Sequence, residues 1–138
     1  AGAERAAGAR AALPTPEAKQ WAWQRATAEP DVPNETHFQI SNQFWQFGQE
    51  EVLRPYAEAY LAAAQAISEG RDGWAERSSA IRQHVLGLLF PRHLADREYL
   101  ERLDRWVSET SPSDSVLRQV GELRDDAERA LRCQAAAG

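Results

Sequence analysis

Four stretches of this 138-residue chain carry apolar stripes whose members recur at intervals of three and four. Val52, Leu53, Tyr56, Tyr60, Leu61 and Ala64 form one such stripe, and Ile81, Val85, Leu86, Leu89 and Phe90 form another. Tyr99, Leu100, Leu103, Trp106 and Val107 repeat the pattern, as do Val116, Leu117, Val120, Leu123, Ala127 and Leu131. This spacing gathers side chains on one face of a helix of 3.6 residues per turn. No segment of useful length alternates with period two, so the sequence predicts an all-α fold without a sheet. About six helices with short connections imply antiparallel hairpins. Hairpins recurring about every 40 residues fall in the range of HEAT and armadillo repeats. The expected architecture is a curved stack of such hairpins, with a closed bundle as the alternative.

Proline, glycine and capping residues set the boundaries. Residues 1–13 hold almost nothing large to bury, and their two glycines predict a linker or frayed segment ahead of a helical domain at 14–138. Thr15, Pro16 and Glu17 supply an N-cap, a first-turn proline and a first-turn acid for a helix reaching about Ala28. Asn34 is the expected cap of a second, from Glu35 to about Gln46, with Phe38, Ser41 or Asn42, and Trp45 on one face. A third is expected from Gln49 to Ser68, followed by a loop through Gly73, and a fourth from Trp74 or Ser78-Ser79 up to Pro91. Asp96 caps a fifth, and the sixth runs from about Ser115 to Gln134.

The densest apolar stretch is Phe44-Trp45-Gln46-Phe47-Gly48, which runs into Gln49-Glu50-Glu51. Gly48 reads as a helix stop with positive φ, and the acids suit the first turn of the next helix. The expected core therefore comprises Phe44, Trp45, Phe47, Tyr56, Tyr60, Trp74, Leu89, Phe90 and Trp106.

The net charge of −5, with both signs interleaved, argues against a nucleic-acid face. No apolar run approaches the roughly 20 residues that span a bilayer. One cysteine, Cys133, rules out an internal disulfide framework and suits a reducing, cytoplasmic setting. His37, His84 and His93 show no metal-ligand spacing, and no His-Glu-x-x-His, nucleophile elbow or phosphate loop occurs. No catalytic or metal residue is expected. Glu50-Glu51 and Asp125-Asp126 are sequence neighbours whose side chains diverge on a helix, so they are not paired catalytic acids. Asp125 and Arg129 are expected to pair at i, i+4. Arg118, Arg124, Arg129 and Arg132 lie on the last helix as candidates for a domain interface or a peptide-facing surface.

Trp21-Ala22-Trp23, Ser41-Asn42, Phe44-Trp45, Gly48-Gln49-Glu50-Glu51, Pro55-Tyr56, Tyr60, Trp74-Ala75-Glu76-Arg77-Ser78, Leu89-Phe90-Pro91 and Leu117-Arg118 together resemble the C-terminal helical domain of bacterial aminopeptidase N. The ending from Glu122 to Arg132 resembles it too, so the likeness runs from 14 to 134. The resemblance implies a fragment of a zinc aminopeptidase that removes N-terminal residues from peptides. The zinc and its motifs would sit in a catalytic domain elsewhere in the same polypeptide. This part would pack over that domain and help enclose the substrate chamber. The Ser68–Gly73 stretch and Gly121 depart from the family pattern and are expected to loosen local packing. An independent helical adaptor for a protein or peptide partner is the competing reading.

Overall fold

The computed structural model describes residues 2–138, which form eight α-helices and two short 3₁₀ turns, with no strand among the described residues. The helices are α1 (Gly2–Ala11), α2 (Pro16–Thr27), α3 (Asn34–Phe44), α4 (Glu50–Leu53), α5 (Pro55–Glu69), α6 (Ser79–Leu88), α7 (Arg97–Thr110) and α8 (Asp114–Ala137). The 3₁₀ turns are Trp74–Glu76 and Arg92–Leu94. In one row α1 packs on α3, α3 on α6 and α6 on α8; α2, α5 and α7 lie beside that row and pack against its members.

Several boundaries follow local chemistry. The Thr15 hydroxyl accepts from Ala18 N and the Asp96 carboxylate from Tyr99 N, satisfying donors that the first turns of α2 and α7 leave open. Ser78 does the same for Ile81 N, so α6 starts at the serine pair, and Trp74 belongs to the separate turn before it. Pro55 has no N–H to donate, and the helix expected from Gln49 to Ser68 is divided there into α4 and α5. Pro33, rather than Asn34, occupies the cap of α3, without a side-chain hydrogen bond.

The first thirteen residues correct the linker expectation. Gly2–Ala11 is a helix, and its pairing with α3 is the closest in the chain. Gly8 and Ala11 are buried, and a Cβ on Gly8 would come within 3.2 Å of the Gln39 Cβ. Small residues let two backbones approach; here they make a contact surface, although they look like a linker in sequence. Gly121 has no such neighbour, since a Cβ there meets nothing within 4 Å.

Phe44, Trp45, Tyr60, Trp74, Leu89, Phe90 and Trp106 are buried, and Tyr56 is half-buried against them. Polar ends of aromatic rings tie helices together: Trp45 Nε1 donates to Leu89 O (2.9 Å), Tyr60 OH to Leu86 O (2.6 Å) and Tyr99 OH to Ala57 O (2.9 Å). Phe47 corrects the expected core, because it is 88% exposed. Gln46 to Gln49 form a tight turn closed by Gln49 N donating to Gln46 O, with Gly48 at φ +86° in its third position. That geometry puts Phe47 at the apex, pointing away from the helices. The buried face of α3 is His37, Ile40, Ser41 and Phe44, and the expected Phe38 is exposed.

Lys19, the only lysine of the chain, is wholly buried. Its ammonium donates to Ala11 O and to Phe44 O, both at 2.8 Å, and lies 5.3 Å from the Phe44 ring centre. These carbonyls belong to the C-terminal ends of α1 and α3, where positive charge meets the negative end of the helix dipoles. One side chain of α2 thus clamps two other helices.

Candidate functional site

The α8 arginines differ in how far their charge is committed. Arg124 grips Asp104 of α7 with two hydrogen bonds of 3.0 Å and also holds Glu128. Those bonds, to Asp104 first, raise its pKa, and Arg124 pulls that of Glu128 down. Arg129 pairs with Asp126 at i, i−3, in place of the expected Asp125. Arg132 lies 3.6 Å from Glu128. Only Arg118 of the four has neither an ion pair nor a hydrogen bond among the described residues. Together with Arg82, Gln83, Gln119 and Glu122 it lines a groove of about 350 Å³ between α6 and α8, floored by Leu86 and Val116. Gln119 Nε2 donates to Gln83 O across the groove. Arg82 is occupied by the carbonyls of Trp74 and Arg77, which leaves Arg118 as the groove's uncommitted cation.

A second polar cluster lies between α2, α3 and α6. His37 is buried, and its Nε2 lies 2.9 Å from Ala26 O. A carbonyl only accepts, so Nε2 carries the proton and the neutral ring offers Nδ1 as an acceptor. His84 Nδ1, 3.1 Å away, must then be the donor, and the two rings stack at 5.2 Å. Ser41 Oγ lies 3.5 Å from the same His37 nitrogen. Sequence reading missed this pair because the partners are 47 residues apart. The usable signal was the three-and-four spacing of His37 with Ile40, Ser41 and Phe44.

Burial brings the His37 pKa down to about 4; the hydrogen bond to Ala26 O works against it, and the charges of His84 and Arg77 work with it. Burial also lowers His84. Both folded values lie below the unfolded value near 6.5, so the unfolded chain binds more protons as the medium acidifies. The stabilisation is complete above about pH 6.5 and is lost as the pH falls from there toward 4, by about 3 kcal/mol for His37. Urea unfolding at pH 7, 6 and 5 should show the decline starting above the carboxylate range. The double variant His37→Gln/His84→Gln should flatten it.

The two histidines share one proton between their Nδ1 atoms, for which a metal would have to compete. No group of three or more His, Cys, Asp or Glu able to hold one exists among the described residues. Among the described residues, no helix is long and apolar enough to cross a membrane. Cys133 is exposed and unpaired.

The family model of the ERAP1-like C-terminal domain matches residues 1–129. The chain belongs to this family. It is also 37% identical, over 136 residues, to an aminopeptidase N of Streptomyces lividans. That match covers 99% of this chain and 15% of the relative, so the chain spans about one-seventh of that protein's length. The paired α8 arginines and the Lys19 clamp are contacts within this chain's own fold. Arg118, in its groove, forms no ion pair or hydrogen bond among the described residues.

Proposed function

We propose that this chain is the non-catalytic helical part of a zinc-dependent aminopeptidase, which releases N-terminal residues from peptides. It packs over the catalytic domain of the same polypeptide and walls part of the substrate chamber, as a HEAT-like curved stack. The observation that carries the reading is the match of nearly the whole chain to a seventh of an aminopeptidase N. Zinc and the catalytic groups belong elsewhere in the polypeptide, and the setting is cytoplasmic. A row of packed helices offers a long surface without any reactive group, and enclosure decides which peptide ends reach the metal.

In this reading Arg118 faces the chamber and attracts the C-terminal carboxylate of a peptide. The test uses the full-length enzyme with Arg118→Ala and matched peptides ending in a free carboxylate or an amide. An exposed charge pair is worth up to about 1 kcal/mol, so kcat/KM for the acid should fall about two- to fivefold, with the amide little changed. Equal losses for both peptides would assign Arg118 to the domain interface instead.

A further inference from the structure

Phe47 has no role in the core or in the α6–α8 groove. A phenylalanine 88% exposed at the tip of a tight turn is an apolar group presented outward. The turn is held in place: Lys19 fixes Phe44 O just before it, and Gln49 Nε2 just after it donates to Ala12 O at 2.9 Å. The same two side chains fix the end of α1, where Leu13 follows, 49% exposed. The His93 ring meets Phe47 edge-on at 6.5 Å. Two of the four exposed large apolar side chains among the described residues therefore sit on two turns bridged into one rigid end of the molecule.

We propose that this end, with Phe47 as its anchor and Leu13 beside it, is the face by which the chain docks into an apolar pocket of the rest of its own polypeptide. The inference rests on the reading of the chain as part of an aminopeptidase. The occupant follows from length and area. The related aminopeptidase has 85% of its length outside the match, and a covalently linked partner acts at an effective concentration of about millimolar or more. A small anchor suffices there. A second copy docking through this patch would have little more than one Phe and one half-exposed Leu from each copy to bury, an aromatic supplying about 150–250 Å². That is far below the roughly 1,200 Å² of a stable interface. Fixed turns lower the ordering cost of docking.

The experiment uses the natural full-length polypeptide with Cys133→Ser and, one at a time, Phe47→Cys, Leu13→Cys and Leu117→Cys. Maleimide labelling of each introduced thiol is followed by peptide mass mapping and compared with the same variant unfolded in urea. Leu13→Cys reports on the face with the Phe47 anchor intact. At 13 and 47 labelling should slow at least tenfold, independently of protein concentration. Labelling at both within twofold of the unfolded rate overturns the proposal. If 117 is then protected, the chain docks by its α8 side and the aminopeptidase reading stands. If all three react freely, that reading loses its packed domain as well. Protection that appears only as concentration rises assigns the face to a second copy and overturns the proposal.

Discussion

Lys19→Ala should destabilise the chain by about 3–5 kcal/mol, because it combines a cavity with two carbonyls deprived of their donor. The site is fully buried, and the ammonium holds Ala11 O and Phe44 O at 2.8 Å. Burial lowers the lysine pKa to about 8, so the group still carries its proton at neutral pH. Two further variants separate the contributions. Lys19→Met keeps the stem and loses only the donors, for about 1–3 kcal/mol. Lys19→Arg keeps the charge but forces a broad planar fork into space shaped for a tetrahedral ammonium, with a comparable loss from overpacking. A chain with fifteen arginines has its one lysine here, which matches that steric demand. Urea unfolding at pH 7 measures all three. A Lys19→Met protein as stable as the parent would show that the ammonium contributes no net stability.

Trp45→Ala should cost about 3–5 kcal/mol, the usual range for a large buried aromatic, and Phe90→Ala about as much. Trp45 is 6% exposed, packs edge-on against Phe44 and donates to Leu89 O, joining the end of α3 to the end of α6. Trp45→Phe keeps most of the packing and isolates the hydrogen bond, worth about 1 kcal/mol. Phe47→Ala, two residues away, should change stability by less than about 0.5 kcal/mol, because its ring is already in solvent. Thermal melts of the four variants decide this. A Trp45→Ala protein melting within a degree or two of the parent would contradict the core described here.

The helical class was legible because apolar spacing is a property of local sequence, and so were the Thr15 and Asp96 caps, which act within three residues. Features that depend on distant partners were not. α1 has no apolar stripe, and its burial depends on how closely Gly8 meets Gln39 on another helix. Phe47 has the composition of a core residue, but the positive φ of Gly48 produced a turn instead of a simple helix stop. The imidazole pair and the Lys19 clamp join residues 47, 25 and 8 positions apart, beyond any local pattern. On α8 the four arginines look alike in sequence. Geometry separated them, because three pair with acids on α7 or α8 and Arg118 forms no ion pair among the described residues.

On the proposed function, this chain shapes access to a peptidase site without taking part in the chemistry. The direct measurement is to remove residues 1–138 from the full-length enzyme and compare turnover of a one-residue chromogenic substrate with that of peptides of increasing length, zinc content being checked in parallel. The account predicts retained zinc, nearly unchanged turnover of the short substrate and a changed ranking of the longer peptides. An unchanged ranking at every length, or hydrolysis by residues 1–138 alone, would contradict it.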